Sequence, residues 1–213
     1  FTTAPLAPPA IPGPAEKQWT LATQDTSLRI GVDSAGTPGI YELNNPTQKF
    51  NWMQQPCSIP LPASVVRNGQ NVATDWKFQS AVIDDSSGTK LTLQFTSATT
   101  GLEFKSQWWA RPGRGPIHHA SFITNGGSGP IEISYQPTFA INLTTPESEE
   151  VFAWHFKSDG GGYHEIEPVG VYREPITSSF HRAVSTSPDG PRGDAIPLAV
   201  IDSGGSQGVY VGT

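Results

Sequence analysis

Two adjoining segments of this 213-residue chain bring together residue types that suit a sugar ligand. Trp154-His155-Phe156-Lys157 runs directly into Ser158-Asp159-Gly160-Gly161-Gly162-Tyr163-His164-Glu165. Aromatic faces cover the apolar C–H patches of a sugar ring, while carboxylates and amides take its hydroxyls. The glycines let the backbone approach a partner closely. His155, Asp159, Tyr163, His164 and Glu165 are therefore the candidate contact residues, facing either a sugar or a neighbouring domain. Trp109 joins them, because it falls beside Lys105 and Gln107 on the polar side of its segment. Trp154 alternates with Phe152 and Phe156 as a core face does, and is expected inside.

Cleavage of a glycosidic bond runs on two carboxylates. Asp159, Glu165, Glu167 and Glu174 lie close in sequence, with Asp189 and Asp194 further on. Sequence does not supply their separation, and acidic loop residues are usually solvated surface, so no catalytic residue is assigned. Other chemistries are excluded more firmly. Gly160-Gly161-Gly162 lacks the Lys-Ser/Thr and the helix that a phosphate-binding loop needs. No Gly-x-Ser-x-Gly nucleophile elbow occurs. His118 and His119 are adjacent, so on a strand they point to opposite faces and do not share a metal ion. The single cysteine, Cys57, excludes an intramolecular disulfide framework and a Cys-rich zinc site. No cofactor and no metal are expected.

Charge and composition narrow the partners. Thirteen basic against nineteen acidic residues leave a net charge of -6 with no basic cluster, which argues against a nucleic-acid partner. No run of about eighteen apolar residues occurs, so no membrane-spanning helix and no membrane partner are expected. Gly 22 and Pro 20 are high, but six Trp and ten Phe supply large units of buried surface for a core.

The scaffold that must position these residues reads as β-strands. Leu91, Leu93 and Phe95 point one way and Thr92, Gln94 and Thr96 the other, the period of two that marks a half-buried strand. Asp84-Asp85-Ser86-Ser87-Gly88 reads as a hairpin turn, with Trp76 to Ile83 as the partner strand. After Thr99-Thr100-Gly101, Leu102, Phe104, Ser106 and Trp108 share one face of the next strand, and Glu103, Lys105, Gln107 and Trp109 the other. Further strands are expected at Ile117 to Thr124, Ile131 to Leu143, Val151 to Phe156, Ile196 to Asp202 and Gly208 to Val211, with a turn at Gly204-Gly205. About a dozen short strands with Gly, Pro and Asn turns predict an all-β, two-sheet antiparallel sandwich. Leu91, Leu93, Phe95, Leu102, Phe104 and Trp108 are its expected core.

Pro5, Pro8, Pro9, Pro12 and Pro14 deny the first residues both helix and sheet ladder. Residues 1–15 are read as a Pro-rich tether and 16–213 as one β-sandwich domain, with folded sequence starting near Trp19. The chain begins at Phe1 rather than Met, and Asn142-Leu143-Thr144 is an N-glycosylation sequon. Together with the Ser/Thr richness these features point to export, so a secreted or extracytoplasmic protein is expected, glycosylated at Asn142. The apolar strand Gly208-Val209-Tyr210-Val211, with the chain stopping at Thr213 just after it, suggests a piece of a longer polypeptide.

One stretch resembles a known domain. Gly193-Asp194-Ala195-Ile196-Pro197-Leu198-Ala199-Val200-Ile201-Asp202, then Gly205 and Gly208-Val209-Tyr210-Val211-Gly212, is similar to the closing hairpin of the N-terminal β-supersandwich of α-galactosidase-type glycoside hydrolases, family 36 and its relatives. The strands within Trp19 to Val32 and Leu91 to Trp109 suit such a domain too. The resemblance implies a galactose-mutarotase-like supersandwich followed by a catalytic barrel of the same polypeptide. It also implies that the family's catalytic aspartates lie on that barrel, no part of which is in this sequence. The expected function is that of a non-catalytic domain supporting or shaping a sugar site, with carbohydrate or the barrel as partner. Two other readings stay open: a free-standing carbohydrate-binding module or lectin, and a small β-sandwich enzyme acting on polysaccharide.

Overall fold

The computed structural model describes residues 10–47, 50–133, 140–144, 150–158, 169–177, 196–203 and 208–212, with only the backbone described at 155–158, 169–170 and 196–198. Among the described residues there is no helix, and so none long and apolar enough to cross a membrane. The chain divides into two compact units, Phe1–Thr144 and Thr145–Thr213.

The first unit is built from two four-stranded antiparallel sheets. One holds β1 (Ala15–Ala22), β2 (Ser27–Asp33), β3 (Pro38–Asn44) and β4 (Cys57–Ser58) in that order. A ribbon of β5 (Ser64–Arg67) and β6 (Gln70–Ala73) follows. The second sheet runs β10-β9-β8-β7, from β7 (Trp76–Asp84), β8 (Thr89–Ser97), β9 (Leu102–Ala110) and β10 (Ile117–Asn125). Leu21, Leu28, Ile30, Val32 and Ile40 of the first sheet form one buried cluster with Leu91, Leu93, Phe95, Phe104 and Trp108 of the second. The two sheets therefore face each other as a sandwich. Leu91, Leu93, Phe95, Leu102, Phe104 and Trp108 are all buried, as alternation requires. Phe95 sits edge-to-face between Phe78 at 5.6 Å and Phe104 at 6.2 Å, a favoured aromatic geometry.

The Asp84-to-Gly88 hairpin joins β7 to β8 as expected, but β7 carries a bulge. Phe78 pairs with Phe95 and Ser80 with Gln94, leaving Gln79 as the extra residue. Trp76 and Phe78 lie in one phase of the alternation, Ala81 and Ile83 in the other. The bulge brings both pairs onto the face that carries the core residues of β8. The β5–β6 turn is made by Asn68 (φ 51°) and Gly69 (φ 74°), the double left-handed turn that an Asn-Gly pair favours. Sequence reading had not placed this hairpin, nor β3, β4 and β12.

At its described end the Pro-rich stretch is fastened to the first sheet. Ser58 N donates to Ala10 O (2.8 Å), Gly13 N to Asp33 Oδ2 (2.9 Å) and Tyr41 Oη to Gly13 O (2.8 Å). The first strand begins at Ala15, ahead of the Trp19 start read from the sequence. Pro12 packs so closely that a Cβ on Gly39 would lie 2.7 Å from Pro12 Cγ.

The Ile131-to-Leu143 segment is not a strand over its described residues. Glu132 bridges Val66 and Leu143 bridges Met53 as isolated pairs, while 134–139 lie outside the described residues. Pro130 removes a ladder donor just where this segment starts.

The second unit holds one four-stranded antiparallel sheet in the order β12-β11-β13-β14. Its strands are β11 (Phe152–Ser158), β12 (Val169–Pro175), β13 (Ile196–Asp202) and β14 (Gly208–Gly212). The expected strands at 151–156, 196–202 and 208–211 are thus present. The Gly204-Gly205 turn lies outside the described residues.

Candidate functional site

Trp109 occupies the outward face of β9, in register between Lys90 of β8 and His118 of β10. Lys90 Nζ lies 5.4 Å from its ring centroid and Arg111 Cζ 4.2 Å. The His118 ring is 6.2 Å away. Two cations therefore bear on one indole through its quadrupole. The Arg111 guanidinium lies within contact range of the ring, so this indole is not a bare stacking surface. Trp109 Nε1 is buried and has no hydrogen-bond partner among the described residues.

The adjacent histidines separate to opposite faces, as strand geometry demands. His118 is exposed beside Trp109. His119 turns inward, stacks on Trp108 and sits 3.0 Å from Ser106 Oγ, which also accepts from Trp108 Nε1 (2.8 Å). Burial lowers the His119 pKa to about 4, so the ring is neutral at pH 7 and serves packing rather than proton transfer.

Four aspartates of the first unit are turn anchors, not poised acids. Asp25 accepts from Gly115 N (3.0 Å) and from Thr23, which hold its pKa below the usual range. Burial pushes Asp33 up, but the amides of Thr37, Gly13 and Ala35 outweigh it and hold it low. Asp75 is held low by Ser97 and the Thr99 amide, and Asp84 by the Ser86 hydroxyl and amide. A glycosidase general acid needs the opposite shift. Cys57 is buried, its thiol pushed up by desolvation, and its Sγ accepts from Asn142 N at 3.0 Å.

The second unit gathers a different cluster. Arg173 Cζ lies 3.3 Å from the Phe152 ring centroid and 5.4 Å from that of Trp154. Trp154 Nε1 donates to Asp202 Oδ2, and Arg173 approaches Asp202 Oδ1 at 4.0 Å. Trp154 is half-buried rather than enclosed, which departs from the core position that its alternation with Phe152 predicted. The register explains the difference. Trp154 pairs with Arg173 on one side and Val200 on the other, so its face of the sheet carries charge as well as apolar surface.

Of the sequence-derived candidates, His155 is a residue of β11 paired with Tyr172 and Ala199. Asp159, Tyr163, His164 and Glu165 lie outside the described residues, as do Glu167, Asp189 and Asp194. Glu174 belongs to β12, opposite Ala153. Sequence reasoning passed over Arg173, Lys90 and Arg111. The roles of Arg173 and Lys90 come from register across strands, which no local pattern announces, whereas Arg111 lies only two residues beyond Trp109. Asp202 was visible only as the end of the strand Ile196 to Asp202 within the closing motif.

Comparison with known proteins separates fold from sequence. No protein-family model matches the chain, and no curated protein matches it. Solved structures do. The chain shares its fold with part of several α-galactosidases. The galactosidase domain of the α-galactosidase–sucrose kinase AgaSK matches with a TM-score of 0.63 at 15% identity, over 92% of this chain and 33% of that one. The family 36 α-galactosidase AgaB from Geobacillus stearothermophilus matches with a TM-score of 0.60 at 15% identity, over 91% and 32%. The α-galactosidase from Lactobacillus brevis gives 0.55 at 13%, over 88% and 31%. This chain thus spans about a third of the length of each structure it matches. At such identities the likeness is one of fold alone.

Proposed function

We propose that the chain is the non-catalytic β-sandwich domain of a secreted α-galactosidase-like glycoside hydrolase, which supports or shapes the sugar site of a catalytic barrel in the same polypeptide. One observation carries the reading: α-galactosidase structures cover about nine-tenths of this chain, while this chain covers only about a third of them. The closing-hairpin motif points the same way. The turn-anchoring Asp25, Asp33, Asp75 and Asp84 also support it, because their pKa values are lowered where a general acid needs a raised one.

In this reading the Trp154-to-Glu165 segment, with His155, Asp159, Tyr163, His164 and Glu165, faces the sugar or the barrel. The test is enzymatic and genetic. The purified 213-residue chain should leave an aryl α-galactoside intact, and its uninterrupted reading frame should encode a barrel downstream. Turnover of the aryl α-galactoside by the chain itself would overturn the proposal. So would a reading frame without a barrel, leaving a free-standing binding module as the surviving reading.

A further inference from the structure

One face of the second unit's sheet carries a continuous row of side chains across all four strands. Arg173 pairs with Trp154, Trp154 with Val200, and Val200 with Tyr210. Cross-strand partners share a face, and neighbouring strands lie about 4.8 Å apart, so the row spans about 14 Å. Tyr210 is 49% exposed and the Arg173 side chain 40%, so both ends of the row meet solvent. In the adjoining row Phe152 pairs with Asp202 and Asp202 with Gly208. Gly208 has no side chain, and a Cβ there would lie 2.9 Å from Ile201 O.

The charges select the ligand. Arg173 and Asp202 face each other at 4.0 Å, so the two rows together carry a donor fork and an acceptor that offset each other in charge. An anionic ligand would meet the Asp202 carboxylate, and a cationic one the Arg173 guanidinium. A neutral, hydroxyl-rich ligand meets neither penalty. Its hydroxyls accept from the five N–H donors of a guanidinium and donate to the several lone pairs of a carboxylate. Its C–H face packs on aromatic rings. The partners that the two charged groups already have hold them in place: Arg173 lies on Phe152, and Asp202 accepts from Trp154 Nε1.

We propose that this face is a saccharide-binding platform, with Tyr210 and Trp154 as the stacking surface and Arg173 and Asp202 as the hydrogen-bonding pair. It rests on the functional reading above only for the choice of a galactose-bearing probe, and it needs no barrel and no turnover.

Affinity electrophoresis of the 213-residue chain in gels containing galactomannan, with dextran as the comparison polymer, tests it. Galactomannan should retard the wild-type chain. Tyr210→Ala and Arg173→Gln should each weaken that retardation about tenfold, with circular dichroism and melting temperature unchanged. Tyr210 is exposed on an edge strand and Arg173→Gln keeps the stem of the side chain, so at least one variant is expected to fold normally. Absence of retardation by either polymer overturns the proposal. So does wild-type retardation in both folded variants. If size-exclusion shows a dimer that Tyr210→Ala dissociates, the face joins two copies of the chain and the proposal fails. Hydrolysis of an aryl α-galactoside would defeat the accessory-domain reading while leaving this binding result standing.

Discussion

The imidazole of His119 lies on the indole of Trp108, with ring centroids 3.9 Å apart and planes 22° from parallel. Strand pairing produces this contact: β10 runs antiparallel to β9 with His119 directly opposite Trp108, and alternation sends both inward. Ser106, two residues before Trp108 on the same buried face, takes the indole N–H and lies 3.0 Å from His119 Nε2. Burial of the ring in this cluster penalises a proton on it.

That penalty predicts a specific pH dependence. The His119 pKa is lowered from 6.5 to about 4 in the folded state, so below pH 6.5 the unfolded chain binds the extra proton and the folded chain does not. Stability is full above pH 6.5 and falls as pH drops towards 4, by about 2–3 kcal/mol. Urea unfolding at pH 7 and pH 4.5 should show the loss, and His119→Phe should remove most of it. An equal loss in that variant would assign the effect to other groups.

The capped carboxylates act in a lower window. Asp25, Asp33, Asp75 and Asp84 all have folded pKa values below the usual 3.8, so their contribution is present above that value and disappears as pH falls through their folded pKa values. Asp33→Ala leaves the amides of Gly13, Ala35 and Thr37 without their acceptor. It should cost about 1–3 kcal/mol at neutral pH. Denaturant titration measures this, and a change within error would show that water replaces the carboxylate at no cost.

Phe95 is 1% exposed and packs edge-to-face on two other phenyl rings. Phe95→Ala should destabilise the chain by about 3–5 kcal/mol, from lost transfer free energy plus the cavity. A loss under about 1 kcal/mol would mean that the site collapses fully around the missing ring.

The fastening of the Pro-rich stretch is open to a single-methyl test. A Cβ at position 39 would sit 2.7 Å from Pro12 Cγ and 3.2 Å from Cys57 O. Gly39→Ala should push the segment around Pro12 off the sheet and cost about 1–3 kcal/mol. Limited proteolysis should then cut ahead of Ala15 faster than in the wild type. Unchanged cleavage would show that the sheet, not the segment, gives way.

Asn142 of the sequon is half-buried, and its backbone N–H donates to Cys57 Sγ. Ile141 packs against the core cluster and Leu143 bridges Met53, while Asn142 and Thr144 are the residues that alternate with them. Expression through a eukaryotic secretory pathway should give an N-glycosidase-sensitive mass shift that Asn142→Gln abolishes. A wild-type chain secreted without the shift would show that the sequon is unused.

Strand identity and the buried faces of β8 and β9 were legible in the sequence, because alternation with a period of two is a local property of consecutive residues. The opposed directions of His118 and His119 followed from the same geometry. Other features were written locally but are harder to read. The Asn68-Gly69 turn is a hairpin signal, and the phase change between Phe78 and Ala81 marks the Gln79 bulge. What only tertiary structure decided was register. Trp154 meets Asp202 across 48 residues, and Trp109 meets Lys90 across 19, because antiparallel pairing sets them side by side. Pairing register is a cooperative outcome of whole strands, so neither the half-buried position of Trp154 nor its ionic neighbours could be read from residues 152–156 alone.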